Sequence, residues 1–150
     1  MILYAQRPDA KLFLAIPSEL EDLPFYDELA EMVDEHDYTM LSRMLDTIPS
    51  LIWLLYDEDE PAGALVATIE DKPVRTIQIE AAYIRPQSRP LGIWAFGRII
   101  EALKNSAERI KLCVEKPRAF ERWGFRIRRY VMELDHGQER GSEGQGQGQA

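Results

Sequence analysis

The stretch AAYIRPQSRPLGIWAFGRIIEAL, residues 81 to 103, gathers the side chains best suited to hold an anion. It passes from an apolar strand pattern to an amphipathic helix pattern through a turn carrying Arg85, Arg89 and Gly92. A helix start exposes main-chain N–H groups with no intrahelical partner, and the macrodipole puts partial positive charge there. A strand that feeds directly into a helix is therefore a natural seat for phosphate. Gly92 lets a ligand approach the backbone, and the two guanidinium groups add charge. Taken alone, such a turn is more often a plain connection than a binding site.

The other chemistry-bearing residues read more simply. His36 lies in an acidic helix connection and His136 in a polar C-terminal stretch, so both are expected at the surface. Asp57, Glu58, Asp59 and Glu60 are consecutive acids without the alternating ligand spacing of an EF-hand, which predicts a solvated turn. Cys113, the single cysteine, has no partner for an internal disulfide or a zinc site and is expected as a small buried apolar residue. Trp53, Trp94 and Trp123 are expected in the core or its lining.

The elements that would position this turn follow from hydrophobic periodicity. MILYAQR opens as a strand, and two helical stretches follow between residues 17 and 48, the first helix proper starting near Pro24. LIWLLYD and AGALVATIE, separated by an acidic turn, predict an antiparallel hairpin. RTIQIEAAYI alternates, with Ile77, Ile79, Ala81 and Tyr83 on one face and Gln78, Glu80, Ala82 and Ile84 on the other. The helix after the turn places Ala95, Phe96, Ile99, Ile100 and Leu103 on one stripe and ends at Asn105. RIKLCVE reads as a strand, residues 117 to 123 as a short helix closed by Gly124, and FRIRRYVMEL as a last strand. The order β, α, α, β, β, β, α, β, α, β predicts an α/β (α+β) fold, a mixed sheet with helices on both faces. Residues 1–134 form one domain in this reading. Residues 135–150, almost without apolar side chains, form a disordered tail.

Composition narrows the function classes. At 45% apolar and 29% charged residues the chain reads as a globular protein, with no apolar run near the roughly 20 residues a membrane span needs. No signal peptide is visible at the N-terminus, which predicts a cytoplasmic location and no membrane partner. A net charge of −8 argues against a nucleic-acid partner, but it is unevenly spread. Residues 1–72 hold 17 acidic and 4 basic side chains, and residues 73–150 hold 9 acidic and 14 basic. The basic half favours a phosphorylated small molecule and the acidic half a cationic substrate, although both also fit solvated faces.

Two segments carry a family resemblance. AYIRPQSRPLGIW resembles the central motif of the GNAT acyltransferases, the Gcn5-related N-acetyltransferase superfamily, with Ile84, Pro86, Arg89 and Gly92 in register. AFERWGFRIRRYVMEL is similar to that family's closing segment, with Glu121, Arg122, Trp123, Gly124 and Phe125 in register. The resemblance covers residues 1–134 and implies a mostly antiparallel central sheet in which the strand around Glu80 to Ile84 splays from the one around Lys111 to Glu115. The pantetheine arm of acetyl-CoA would lie in that V, held by backbone at Ala82, Tyr83 and Ile84. Amides from Arg89 through Leu91, Gly92 and Ile93 to Trp94 would cradle the pyrophosphate. The implied reaction is direct attack of an amine acceptor on the thioester, which needs a base, an N–H near the carbonyl oxygen and an acid for the leaving thiolate.

The chain departs from the motif at several positions. Pro90 removes one N–H from the cradle, and Trp94 stands where the family has a small residue. Phe120 aligns with the usual thiolate-protonating tyrosine, leaving Tyr130 or Tyr83 as the acid, and Cys113 aligns with a common asparagine. Glu80, on the strand bordering the slot, is the expected base. The resemblance also admits a catalytically degenerate protein acting by binding, as in some bacteriophage and virion-carried members. Oligomeric state is open.

Overall fold

In the computed structural model, residues 1–33, 39–113 and 124–125 are described. The chain divides into two compact units, Met1–Lys116 and Pro117–Ala150, and Gly124 and Phe125 are the described residues of the second. In the first unit, six strands form one sheet in sequence order: β1 (Ile2–Arg7), β2 (Ala10–Ala15), β3 (Ser50–Asp57), β4 (Glu60–Glu70), β5 (Thr76–Ile84) and β6 (Arg109–Leu112). Neighbours are antiparallel except β5 and β6, which are parallel. That single parallel pair requires a crossover, and the helix after β5 supplies it. The helices are α1 (Tyr26–Val33), α2 (Met40–Thr47) and α3 (Arg89–Lys104), and short 3₁₀ turns occupy Pro17–Glu19 and Pro86–Ser88.

One face of the sheet is covered by α1 and α2. Leu29, Ala30, Leu41 and Met44 pack there against Ile52, Leu54, Ala64, Val66 and Ala81. On the other face α3 buries Leu91, Ala95, Ile99, Ile100 and Leu103. The predicted mixed sheet with helices on both faces is therefore the observed architecture. The β3–β4 hairpin falls where predicted, with a left-handed Glu58 (φ 59°) at its turn. Trp53 is in the core at 2% exposure.

Four expectations change. The strand β2 was not predicted; it forms a hairpin with β1 through Pro8 and Asp9. The first α-helix starts at Tyr26 rather than at Pro24, after Phe25 in a left-handed conformation (φ 62°). Cys113 is exposed rather than buried, because it follows Arg109 and Lys111 on the outward phase of β6, whose Ile110 and Leu112 point the other way. The face assignment along β5 also fails beyond Ile79. Val66 pairs with Ala81 and its neighbour Ala67 with Ile79, so Glu80 is an extra residue, a β-bulge. Adjacent residues of β4 face opposite ways, so Ala81 and Tyr83 lie on the α1–α2 face and Ile79 on the other. The short helix at 117–123, the closing strand and the tail fall outside the described residues, as do His36, Phe120, Trp123, Tyr130 and His136.

Candidate active site

The site grows from the place where β5 loses one neighbour. Parallel pairing joins Thr76–Ile79 of β5 to Arg109–Leu112 of β6 and goes no further among the described residues, while β5 continues through Ile84 on the β4 side. The N–H of Arg85 donates to Ala62 O of β4 at 2.9 Å. By the alternation of an antiparallel ladder, Tyr83 also bonds toward β4, and the main-chain groups of Ala82 and Ile84 point away from it, toward the side on which β6 pairs lower down. Ala82, with its small side chain, is exposed. Among the described residues no strand pairs with this edge, which an extended amide-containing chain can match.

Glu80 is the first residue beyond the last β6-paired position among the described residues, and it is also the bulged residue. It is half-buried, and its Oε2 accepts a hydrogen bond from Thr68 Oγ1 at 2.7 Å. Thr68 lies two residues along β4 from Val66, on the face covered by α1 and α2. Tyr83 is on this face too, its ring tilted at 44° against Phe25 with centroids 5.1 Å apart. The carboxylate thus opens toward the α1–α2 side of β5, against Thr68.

The turn after β5 is organised differently from the sequence expectation. Arg85 reaches back to the β3–β4 turn: its Nε donates to Ser88 Oγ at 2.8 Å, its NH2 to Asp57 Oδ2 at 3.3 Å and its NH1 to Glu60 Oε1 at 3.2 Å. Ser88, 1% exposed, donates to the same Asp57 oxygen at 3.1 Å. Arg85 is thus bound to carboxylates, whereas Arg89 is exposed and pairs with no acid among the described residues. The Ser88 N–H donates to Arg85 O and the Arg89 N–H to Pro86 O, and Pro90 has none. Because α3 is already helical at Arg89, the N–H groups of Ile93 and Trp94 lie in its second turn, where the helix bonds them to Arg89 and Pro90. The Gly92 N–H is likewise taken by Ser88 O, the N-cap carbonyl, so the main-chain part of the cradle narrows to Leu91.

Gly92 itself is explained by packing. A Cβ there would stand 3.1 Å from Ile84 Cγ1, so α3 begins close against the end of β5. Gly63 on β4 leaves room for the same isoleucine, since a Cβ would meet Ile84 Cδ1 at 3.0 Å. Trp94 is half-buried, with Arg7 Cζ 5.7 Å from its ring centre, so the indole lies beside β1, at the far edge of the sheet from β6.

The fold therefore places Glu80, Ala82, Tyr83 and Ile84 on β5 beyond its described pairing with β6 and Arg89, Leu91 and Gly92 at the start of α3. Two residues escaped the sequence reading. Thr68 was signalled only as a hydroxyl in the otherwise apolar run AGALVATI, and Asp57 as one of four acids in a turn.

No family model and no curated protein matches the sequence. Solved structures do match. An acetyltransferase from Trypanosoma brucei is similar at 20% identity and a TM-score of 0.59 over 85% of this chain and 99% of that one. Glucosamine-6-phosphate N-acetyltransferase from Arabidopsis thaliana matches at 16% identity and 0.58, over 83% and 97%. An aminoglycoside N-acetyltransferase solved with CoA matches at 11% and 0.59, over 87% and 97%. At such identities fold is what is shared: this chain has the fold of the GNAT acetyltransferases.

Proposed function

We propose that the chain transfers an acetyl group from acetyl-CoA to an amine acceptor. The observation that carries this reading is the upper part of β5, which runs on past its pairing with β6 among the described residues and begins with a half-buried carboxylate. The main-chain groups of Ala82 and Ile84 suit the amides of a pantetheine arm, and Arg89 with the amide of Leu91 suits the diphosphate, Gly92 leaving room beside them. Acetyl-CoA supplies the thioester that the amine attacks directly. Glu80 takes the proton from the amine, which makes it nucleophilic. The departing thiolate draws a proton from Tyr83, Tyr130 or water. Since Glu80 opens on the α1–α2 side, the acceptor enters there, past the exposed Asp27, Glu28 and Glu31 of α1, which favour a cationic amine.

A second reading, a protein of this fold that acts by binding alone, is favoured by the narrowed cradle at Ser88, Arg89 and Pro90. Thermal unfolding with acetyl-CoA separates the two. Cofactor at 100 times its dissociation constant stabilises a fold by about 2.7 kcal/mol, and an unchanged Tm at millimolar acetyl-CoA would reject the transferase reading. With binding in hand, Glu80→Gln is expected to leave the Tm shift intact and to slow CoA release in the presence of an amine by about 10²-fold or more. Equal turnover would remove Glu80 from the role of base.

A further inference from the structure

We infer that Thr68 is the positioning residue for the Glu80 carboxylate, an inference that rests on the transferase reading above. The argument starts from the bulge. An extra residue in a strand has no partner across the ladder, and its side chain loses the orientation that pairing imposes. Glu80 is that residue in β5, and it stands where β6 has stopped pairing, so neither neighbouring strand fixes it through backbone register. A long carboxylate with this freedom samples many rotamers, and a base must come within hydrogen-bond reach of the proton it takes.

Thr68 supplies the missing constraint. It is 8% exposed on β4, a strand paired on both sides, between Ser50 of β3 and Gln78 of β5. A β-branched side chain in a sheet has restricted χ1 freedom, so the hydroxyl is held still. Its Oγ1 donates to Glu80 Oε2 at 2.7 Å, a well-formed hydroxyl-to-carboxylate bond. One carboxylate oxygen is thereby tied to the rigid centre of the sheet, and Oε1 is left to meet the acceptor amine. Exposed charged groups on elements packed against β5 include Asp27, Glu28 and Glu31 of α1, Glu70 of β4, Arg89, Arg98, Glu101 and Lys104 of α3, and Arg109 and Lys111 of β6. Ser50, the other hydroxyl beside Thr68, donates to Ile48 O instead.

The test compares Thr68→Val, which keeps the shape and removes the donor, with Thr68→Ser, which keeps the donor. Two measurements are made on each. In the ligand-free protein, the side-chain carboxyl ¹³C resonance of Glu80 is expected to move in the valine variant and to return toward its original position in the serine variant. In steady state with acetyl-CoA and an amine, valine is expected to lower kcat about ten-fold, the size of one lost charge-assisted hydrogen bond, with KM for acetyl-CoA unchanged, and serine to restore it within about two-fold. Adding Thr68→Val to Glu80→Gln is expected to cost nothing further, since the two act as one unit. A Glu80 resonance indifferent to valine, full turnover in the valine variant, or a serine variant as slow as valine would each overturn the role of Thr68 alone. Absence of turnover in the unaltered chain would overturn the transferase reading and this role with it. Should the valine variant not fold, Thr68→Ala, which also removes the donor, takes its place in both measurements with the same outcomes expected and the same ones overturning the role.

Discussion

Arg85→Met takes a guanidinium away from three acceptors while keeping most of the hydrocarbon stem. The strongest contact is the 2.8 Å bond to Ser88 Oγ, on a residue 1% exposed. Asp57, with its side chain 28% exposed, is reached at 3.3 Å and keeps the Ser88 hydroxyl as a donor after the substitution. Glu60 is 76% exposed, so solvent screens its 3.2 Å contact to little. Weighing a part-buried charge-assisted network in this way gives a loss of about 2 kcal/mol. For a chain of this size that corresponds to a fall in Tm of about 4–8 °C. Calorimetry and a CoA titration on Arg85→Met and Arg89→Met, run side by side, test the assignment. Arg85→Met is expected to lower Tm and to change CoA affinity by less than about two-fold, since its guanidinium is spent on carboxylates. The exposed Arg89→Met is expected to keep Tm within about 1 °C and to weaken CoA about five- to ten-fold. A normal Tm with weakened CoA binding in Arg85→Met would show that the arginine serves the ligand and that the carboxylate network is incidental.

Two further outcomes follow from contacts at other positions. Gly63→Ala sets a Cβ 2.7 Å from the Tyr83 carbonyl oxygen, a backbone atom that cannot swing aside, and is expected to cost about 2–3 kcal/mol. Gly92→Ala meets only the Ile84 side chain, which can yield, and gains helix propensity, so it is expected to cost about 1 kcal/mol or less; urea unfolding giving equal or reversed costs would refute this ordering. The Ile16 N–H donates to Glu19 at 3.0 Å and holds its carboxyl below the usual glutamate value, with the N-terminal ammonium 3.4 Å away adding to the effect. The stabilisation is therefore present above the unfolded glutamate value and is lost as pH falls through the lower folded one. Tm followed into acid should show a smaller loss in Glu19→Gln than in the unaltered chain, and identical acid profiles would contradict the contact.

Much of the architecture was readable because its elements are long and periodic. The β3–β4 hairpin has apolar runs of strand length around an acidic turn, and α3 has a stripe at helical spacing from Leu91 to Leu103. The strand β2 was missed because AKLFLA is short and nearly continuous in apolar residues, a pattern that periodicity cannot assign. Its position between β1 and β3 explains that composition, since Leu12 is in the core and Phe13 packs against Tyr56 at 5.5 Å. At the turn, Arg85 and Arg89 are the same residue type four positions apart. What separates them is the approach of Asp57, nearly thirty residues earlier in the chain, which no local pattern reports.

The bulge at Glu80 was the least legible feature, and the reason bears on the site. Alternation along RTIQIEAAYI looks unbroken because the residues beyond the bulge are two alanines, which fit either face of a sheet. A larger apolar side chain at Ala81 or Ala82 would have declared its face and fixed the register. Small residues there leave the strand free to take the extra residue, and Ala82 is exposed. The same two alanines that conceal the bulge from the sequence thus permit both the extra residue and the reaiming of Glu80 toward Thr68. Substituting Ala81 by valine should test this coupling: buried against Val66 and the α1–α2 core, it is expected to cost about 1–3 kcal/mol by overpacking and to displace the Glu80 carboxylate, read from its ¹³C resonance. A stable variant with that resonance unmoved would mean that the bulge is set elsewhere in the sheet.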